Sequence, residues 1–517
     1  MRIGILELMS AGATKGLSHT AYSYLVTKQY ASIMPQAVSV WCRNLGHEVF
    51  YATYFGNQDP KKLLPSNLDV VFISTYTQAS ALAYALAKLY RKEKTLTILG
   101  GPHAKQFPED SSRFFDIVVG DCDETLIKEI LTDKPRNSIL NSGRRLKNIP
   151  GVEERLPEIR SSTFLKGRPF PFTGVPLITS VGCPNSCDFC IDWNNPYVLL
   201  PLEQLEADMR YIFQHFPRVM IGLHDPNFAV KFEQVFDVLE KIPNRRRLSY
   251  GMETSLATLQ SSRLERLKKM GNFYIIPGVE GWTGYSNKVG AGSSMAPREK
   301  LDKVIQQFNN IRPYVTGIQA NFIFGLDVDA GNEPIDLTKE FASRVPFVMP
   351  NFNIPVPFGN TPLYEKYLSE DRILTSMPFT FYYMPYLAFK LKNYTTATYY
   401  EKFIDITAYV SSGKMLIKRL KDAPSPFPAG YNLVKTLGNR QMIKRLGEIV
   451  NLLKMDSQFR AFHERETDVL PEFYHHKYEE LLGPYAALMS RTDRKPVLVS
   501  HKKEKVAAGA QTAIIVK

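Results

Sequence analysis

The sequence has few cysteines and no long apolar run, and both absences narrow the class of protein. Five cysteines among 517 residues are too few for the disulfide framework of a small secreted protein. No run of about 18 apolar residues occurs, so we expect no membrane-spanning helix. The N-terminus lacks the basic flank and long apolar core of a secretory signal. We therefore expect a reducing, cytoplasmic setting.

Acidic residues are also scarce relative to basic ones. Lys and Arg total 64 against 51 Asp and Glu, which gives a formal net charge of +13. Such an excess can serve a nucleic acid, an anionic membrane surface or an anionic substrate. The basic residues are spread along the chain, so an ordinary solvated surface is an equal alternative. Contact with a membrane surface stays open, and nucleic acid is not expected as a partner.

The first 135 residues alternate strand-like and helix-like segments. The strand-like segments are 2–6, 47–54, 69–74, 95–99 and 115–119. This alternation predicts an α/β domain with a doubly wound parallel sheet. Ligands of such sheets bind beyond the carboxyl ends of the strands. Gly100 and Gly101 fall at such an end, although they could serve only to make a tight turn.

A second alternating unit follows a connector, predicted at 136–172, that has little periodicity. Its strand candidates are 176–180, 219–223, 248–252, 273–277, 318–324 and 352–355. Six βα units predict a partial (β/α)6 TIM barrel over 173–369, with its active site at the carboxyl ends of the strands. Residues 370–491 are predicted as a Tyr-rich helical C-terminal cap, and 492–517 as a flexible tail.

The most informative segment is a cysteine loop directly after the first predicted barrel strand. Cys183, Cys187 and Cys190 have the spacing C-x3-C-x2-C, which lets three thiolates converge from one short loop. Cysteine thiolates are the usual ligands of iron–sulfur clusters, and three ligands on a four-iron cluster leave one iron open. Structural zinc is the alternative, but it needs a fourth ligand. The loop contains no His, and no second Cys pair is near.

The cysteine loop, placed after the first barrel strand, resembles that of the radical S-adenosylmethionine (SAM) superfamily. The likeness extends over nearly the whole chain to the cobalamin-dependent (B12-binding) class. Its other segments are 46–49, 69–74, 99–104, 115–120 and 355–364. The resemblance implies a Rossmann-like cobalamin-binding domain at 1–135 before the barrel. It also implies a [4Fe–4S] cluster on the three cysteines, which cleaves SAM to a 5′-deoxyadenosyl radical.

The resemblance implies cofactor contacts for further residues, while leaving the catalytic residues unknown. SAM would contact Phe189, Asp225, Glu280 and Gly325. Cobalamin would be bound at the edge of the N-terminal sheet by a larger set: Ser74, Thr75, Thr77, Gly100, Gly101, Pro102, His103, Gly120 and Glu124. An acidic residue at a strand end has an ordinary alternative role as the cap of the next helix.

The sequence departs from the family in one respect. Cobalamin domains often donate a cobalt-binding His from an Asp-x-His-x-x-Gly motif, and this motif is absent. His19 and His103 lack its flanking residues. Either cobalamin binds without a protein imidazole or the domain has lost the cofactor, and we expect binding.

Together these features predict a radical SAM enzyme, specifically a cobalamin-dependent methyltransferase acting on an unactivated carbon. The substrate would be a small or lipid-like molecule, and the aromatic segment 379–389 favours a large apolar one unless it is core. A flavodoxin or ferredoxin would supply electrons. Two alternatives stay open. One is a radical SAM enzyme of another type, such as cyclisation or oxidation, without bound cobalamin, and the other is a non-enzymatic zinc- or nucleic-acid-binding protein.

Overall fold

A computed structural model describes residues 1–13, 16, 20, 22–23, 25–170, 173–216, 218–243, 248–283, 295–423 and 426–501. The strands are β1 Arg2–Leu8, β2 Glu48–Tyr54, β3 Val70–Thr75, β4 Leu96–Gly100, β5 Ile117–Val119, β6 Ser138–Leu140, β7 Gly174–Leu177, β8 Ser180–Val181, β9 Val198–Leu199, β10 Met220–Leu223, β11 Ser249–Thr254, β12 Asn272–Glu280, β13 Gly317–Ile323 and β14 Val348–Asn353. The α-helices are Ile33–Asn44, Ser80–Lys92, Pro102–Gln106, Pro108–Ser111, Glu124–Asp133, Leu156–Thr163, Leu202–His215, Phe232–Leu239, Ser261–Met270, Pro297–Ile311, Glu333–Arg344, Pro362–Ser369, Thr396–Val410, Gly413–Asp422, Pro426–Met455, Ser457–His463, Glu472–Leu482 and Arg491–Arg494.

The N-terminal unit is a six-stranded sheet in the order β2-β1-β3-β4-β5-β6, with every pair parallel. Its strands are apolar on both faces, as a covered parallel sheet requires. In β3, Val71 and Ile73 pack into one core while Val70 and Phe72 pack into another. The predicted doubly wound α/β fold is confirmed. Three helices cover the faces: Ser80–Lys92 on one side, and Ile33–Asn44 and Glu124–Asp133 on the other.

The segment predicted as a connector contains more regular structure than its sequence indicates. β6 extends the first sheet, and the helix Leu156–Thr163 follows. Arg155, only 1% exposed, donates hydrogen bonds to Gln36 Oε1 at 2.7 Å and to the carbonyl oxygen of Pro176 at 3.1 Å. These contacts join the N-terminal unit to β7. The periodicity of the sequence did not indicate β6 or the helix Leu156–Thr163 because both elements are short.

The second unit is a parallel sheet of six strands in the order β7-β10-β11-β12-β13-β14. β7 and β14 do not pair with each other within the described residues, so this is an open, partial barrel, as predicted. β14 begins at Val348, four residues before its predicted start at position 352, and it includes Pro350. A proline has no N–H to donate, and β14 tolerates it because it is an edge strand.

The C-terminal region is helical, as predicted, apart from the aromatic segment 379–389. That segment contains one 3-10 turn, Phe379–Phe381, and most of it is buried. The ring of Phe379 stacks on Phe107 with centroids 3.8 Å apart. The aromatic segment therefore packs partly against the N-terminal unit. None of the described helices combines the length and apolar character needed to cross a bilayer.

Residues 492–501, predicted as the start of a flexible tail, make specific contacts. The backbone N–H of Val497 donates to Asp110 Oδ1 at 2.8 Å, and that of His501 donates to Glu365 Oε1 at 2.8 Å. The low apolar content of this stretch gave no sign of these bonds, which depend on distant partners. The rest of the predicted tail, 502–517, lies outside the described residues.

Candidate functional site

The carboxyl ends of the barrel strands surround a cavity of about 390 Å³. Cys183, Cys187 and Cys190 all line it, together with Phe189 and Glu280. Three predicted cluster ligands and two of the four predicted SAM contacts are therefore brought to one site. This is the edge of a βα barrel where active sites lie.

The cysteine loop is held closed at its base by a two-stranded antiparallel pair, β8 with β9. Gly182, at the start of the loop, has φ +70, and a Cβ there would lie 2.4 Å from the carbonyl oxygen of Pro196. Only glycine fits such a position. Next to it, the backbone N–H of Cys183 donates to the carbonyl oxygen of Asn195 at 3.0 Å. Local backbone geometry thus fixes where the first cysteine enters the cavity.

Asp225, a predicted SAM contact, is bound to the foot of the cysteine loop. Its carboxylate is 2% exposed and accepts hydrogen bonds from the hydroxyls of Thr179 at 2.6 Å and Ser180 at 2.5 Å. Burial raises the pKa of this carboxyl, and those hydrogen bonds oppose the rise. Asp225 is not among the cavity-lining residues, whereas Asn227, two positions later, is.

Glu280 lies in the cavity wall in an unusual backbone conformation. It is 4% exposed with φ +67, and the register of β12 against β13 shifts between Gly278 and Glu280. Next to it, Lys300 Nζ donates to the carbonyl oxygen of Gly281 at 2.5 Å. Burial lowers the pKa of Lys300 to about 8, although the charge of Glu280 opposes this. A non-glycine residue in this left-handed conformation carries backbone strain.

Gly325, the fourth predicted SAM contact, does not line the cavity. It has φ +103, and a Cβ there would lie 2.6 Å from Cε2 of Tyr399. The backbone N–H groups of Gly325 and Leu326 both donate to Asp329 Oδ2, at 2.9 and 3.0 Å. Burial raises the pKa of Asp329 to about 6. The tight turn at Gly325 and its packing against the helix Thr396–Val410 thus account for a glycine at this position.

A chain of side-chain amides, which the sequence reasoning missed, leads into the cavity from β13 and β14. Asn321 Oδ1 accepts hydrogen bonds from Gln319 Nε2 at 2.9 Å and Asn351 Nδ2 at 3.2 Å. Tyr431 donates to Gln319 Oε1 at 2.7 Å, and Lys435 donates to Asn351 Oδ1 at 3.3 Å. The available signal was the polar residue at every second position of two otherwise apolar strands.

The amide chain fixes which way the Asn321 side chain faces. Because Oδ1 of Asn321 accepts two donors, its Nδ2 points away from them. Asn321 lines the cavity, and Nδ2 has no partner within the described residues. The cavity lining also includes Tyr383 and Met384 of the aromatic segment. The cavity thus combines a hydrogen-bond donor with an aromatic surface.

In the N-terminal unit, His103 is buried beside two hydroxyl groups. It is 0% exposed, its Nε2 lies 2.6 Å from the hydroxyl of Tyr84, and its Nδ1 lies 3.4 Å from the hydroxyl of Thr77. Burial lowers the pKa of His103 to about 3. The buried ring is therefore neutral near pH 7. His19 lies outside the described residues.

Two of the glycines predicted to bind cobalamin, Gly101 and Gly120, allow neighbouring loops at the carboxyl edge of the N-terminal sheet to approach closely. Gly101 has φ +88, and a Cβ there would lie 2.8 Å from Ser74 Oγ and 2.9 Å from the backbone nitrogen of Thr75. A Cβ on Gly120 would lie 2.1 Å from Asn141 Oδ1. The remaining predicted residues lie at the same edge: Gly100 ends β4, and Pro102 and Glu124 each begin a helix.

The carboxyl edge of the N-terminal sheet faces the last loop of the barrel. Asn360 Nδ2 donates to the carbonyl oxygen of Lys105 at 2.8 Å. The hydroxyl of Thr380 donates to the carbonyl oxygen of Gln78 at 2.7 Å. The predicted cobalamin residues do not line the barrel cavity, yet their loops contact the elements that do. No three His, Cys, Asp or Glu side chains among the described residues are spaced to share one metal ion, so the cysteines are assigned by their chemistry.

Comparison with known families identifies the barrel. Residues 177–330, which contain the cysteine loop and the cavity strands β10 to β13, match the radical SAM superfamily. The chain carries a radical SAM domain. The prediction of a radical SAM enzyme, made from the cysteine spacing, is therefore confirmed.

Two curated relatives of this radical SAM chain are methyltransferases by name. One is the bacteriochlorophyllide d C-8(2)-methyltransferase of Chlorobaculum tepidum, 24% identical over 68% of this chain and 79% of the relative. The other is an uncharacterized methyltransferase of Pyrococcus horikoshii, 23% identical over 63% of this chain and 75% of the relative. Both alignments extend well beyond the radical SAM domain.

The match to a solved structure covers more of the chain than the barrel alone. TsrM, a radical SAM methyltransferase from Kitasatospora setae solved with tryptophan and a SAM analogue, superposes with a TM-score of 0.51. It is 13% identical, and the match covers 73% of this chain and 77% of TsrM. A second TsrM structure, with cobalamin and a [4Fe–4S] cluster bound, gives a TM-score of 0.50. The likeness to TsrM agrees with the fold predicted from the cobalamin-dependent class.

Proposed function

We propose that this protein is a cobalamin-dependent radical SAM methyltransferase that methylates an unactivated carbon. The observation that carries the proposal is the convergence of Cys183, Cys187 and Cys190 with Glu280 on one cavity at the carboxyl end of a radical SAM barrel. The methyltransferase names of both relatives support the reaction type.

The cysteine loop fits a [4Fe–4S] cluster. Its three thiols all border the cavity, and three thiolates are the donor set that leaves one iron open. When bound, the cluster supplies the electron that cleaves SAM reductively. The chain itself tunes the site: Asn185 Nδ2 donates to the sulfur of Cys183 at 3.6 Å, and hydrogen bonds to ligand sulfurs adjust a cluster's potential.

We place cobalamin between the N-terminal sheet edge and the barrel. The fold shared with TsrM supports this position, and so does the contact of the 100–107 loop with Asn360. When bound, cobalamin supplies the methyl group. Because His103 is buried, with its ring against Tyr84 and Phe107, we propose that this residue would not serve as a ligand of the cofactor.

The cavity fits an amphipathic substrate. Tyr383 and Met384 offer an apolar surface, while Nδ2 of Asn321 offers a donor. A flat, largely apolar molecule bearing a carbonyl, carboxylate or ring-nitrogen acceptor matches both. The aromatic segment is thus mostly core, with only its middle at the cavity. We further propose that a flavodoxin or ferredoxin reduces the enzyme in the cytoplasm.

The test is anaerobic cofactor analysis with cysteine variants. The protein would be produced with added cobalamin, reconstituted with iron and sulfide, desalted, and assayed for iron, sulfide and corrinoid per chain. Cys183→Ser, Cys187→Ser and Cys190→Ser should each lose most of the iron. Cys42→Ser and Cys122→Ser, which change thiols of the N-terminal unit, are the matched controls and should keep it.

Products from SAM separate the alternatives. A methyltransferase of this kind yields both S-adenosylhomocysteine and 5′-deoxyadenosine. Iron without corrinoid, and 5′-deoxyadenosine alone, would favour a radical SAM enzyme of another reaction type. Bound zinc without iron or sulfide would overturn the proposal altogether.

A further inference from the structure

Two helices of the C-terminal region expose aliphatic side chains that no other described element covers. The helices Gly413–Asp422 and Pro426–Met455 are adjacent in sequence and pack against each other. We call them the hairpin helices. Their exposed aliphatic residues, the apolar stripe, are Ile417 (56% exposed), Leu420 (39%), Leu433 (44%), Val434 (47%) and Leu437 (54%).

The spacing of the apolar stripe follows the helical period. Ile417 and Leu420 are three residues apart, and Leu433 and Leu437 are four apart, so each pair lies on one helix face. Only three residues separate the two helices in sequence, and the helices pack against each other. The end of the first helix therefore lies beside the start of the second, which brings the two halves of the stripe to the same region.

The opposite face of the second helix has a structural role. Tyr431 and Lys435 donate to Gln319 and Asn351 of the barrel, and Asn432 and Thr436 are buried. Packing against β13 and β14 thus fixes which face of the helix points outward. Leu433 and Leu437 are exposed because the fold holds them there.

The surroundings of the apolar stripe are strongly basic. From 411 to 447 the sequence has eight Lys or Arg and one acidic residue, Asp422, a net +7 out of +13 for the chain. None of these eight cations forms an ion pair with a described residue, and six of them are neither buried nor bonded to the barrel: Lys414, Lys418, Lys421, Arg440, Lys444 and Arg445. An aliphatic stripe with unpaired cations beside it has the composition of a helix that lies in a membrane interface.

We propose that the hairpin helices bind the surface of an anionic lipid bilayer. Burial of the aliphatic side chains at the acyl boundary lowers the free energy of the bound state, and attraction of the cations to anionic headgroups lowers it further. A second copy of this chain is a poor occupant, because two such faces would bring like charges together. Nucleic acid would use the cations but would leave the aliphatic stripe in water, since its bases stack on aromatic side chains. The proposal is independent of the methyl-transfer reaction.

Sedimentation with vesicles tests this directly. Full-length protein would be mixed with vesicles of phosphatidylcholine containing phosphatidylglycerol, and with vesicles of phosphatidylcholine alone. We expect binding to the anionic vesicles that weakens as salt increases. The double variants Leu433→Ser with Leu437→Ser, and Lys414→Glu with Lys421→Glu, should each lower the partition coefficient by about tenfold or more.

Matched controls separate a surface effect from a folding effect. Met455→Ser changes an 88% exposed aliphatic side chain at the far end of the same helix, and Val469→Ser changes one that is 71% exposed elsewhere. Both should bind vesicles as the wild type does, and all variants should melt at similar temperatures. Wild-type protein that stays in the supernatant would overturn the proposal, and so would binding that the stripe and lysine variants leave unchanged. A concentration-dependent dimer that Leu433→Ser with Leu437→Ser dissolves, without vesicle binding, would assign the face to self-association instead.

Discussion

The carboxylate of Asp225 holds Thr179, four residues before the first cysteine of the cluster loop. Oδ1 of Asp225 accepts from the Thr179 hydroxyl at 2.6 Å, and both carboxylate oxygens accept from its backbone N–H at 3.1 Å. Ser180 adds another donor at 2.5 Å. The family resemblance implies a SAM contact for this residue, whereas the structure gives it a second connection, to the loop that carries the cluster ligands.

We predict that Asp225→Ala lowers cluster content and not only SAM affinity. Removal of the carboxylate leaves the buried N–H of Thr179 and two hydroxyls without an acceptor, at a cost of about 1–3 kcal/mol for each buried group. The cysteine loop should then lose its fixed position. Iron per chain after reconstitution is the measurement, and Asp225→Asn, which keeps one acceptor oxygen, should retain part of the iron.

The two roles of Asp225 give different results. A residue that only contacts SAM would leave iron content at the wild-type level and raise the dissociation constant for SAM. A full iron load in Asp225→Ala would therefore disprove the positioning role. Glu253→Gln, which changes another cavity carboxylate near the end of β11, controls for a general effect of lost charge.

We predict that Gly325→Ala destabilises the protein by about 2 kcal/mol or more, because alanine is strained at φ +103. The added Cβ would also meet the ring of Tyr399 at 2.6 Å. The melting temperature of the apo-protein measures the effect. Gly447→Ala is the control, since a Cβ there meets nothing within 4 Å, and a helix interior gains roughly 1 kcal/mol from the change. Equal melting temperatures for the two variants would contradict this account of Gly325.

We predict that His103 makes the protein less stable in acid. Its folded pKa of about 3 lies below the ordinary value of 6.5, so between these values the unfolded chain binds a proton that the folded chain does not. Stability contributed by neutral His103 is therefore complete above pH 6.5 and falls as pH decreases, by about 1.4 kcal/mol per pH unit. His103→Gln should make the decline in melting temperature from pH 6.5 to pH 4.5 shallower.

Two comparisons separate this from a cofactor role. His476→Gln, at an exposed position, should leave the acid dependence unchanged. Corrinoid bound to His103→Gln should have the wild-type absorption spectrum, since a ring buried in the N-terminal unit does not serve as a cofactor ligand in this proposal. A spectral shift in that variant would assign His103 to the cobalt and contradict the buried network.

Local sequence patterns predicted the sheets and the cysteine loop. The side-chain contacts depend on residues far apart in the sequence and were not predicted. Apolar runs such as 69–74 and the spacing of Cys183, Cys187 and Cys190 are properties of neighbouring residues, so the sheets and the cysteine loop could be read directly. The burial of His103 depends on Tyr84, and the amide of Asn321 depends on Asn351. Partners so far apart in the chain leave no periodic signal. Such contacts decide what surrounds each side chain, so the surroundings of individual residues were harder to predict than strands.

Substitution of Glu280 separates an effect on stability from an effect on function. Its φ of +67 costs a non-glycine residue of order 1 kcal/mol, so Glu280→Gly relieves backbone strain while it removes a carboxylate from the cavity. Loss of the charge that supports the buried Lys300 offsets this relief, so we predict a melting temperature close to that of the wild type, together with a loss of SAM binding and of 5′-deoxyadenosine formation. Lys94→Gly is the matched control, because Lys94 has φ +62 in an exposed turn far from the cavity. It should give the same backbone relief with unchanged SAM cleavage. If Glu280→Gly still bound and cleaved SAM as the wild type does, the strained carboxylate would have no part in the site.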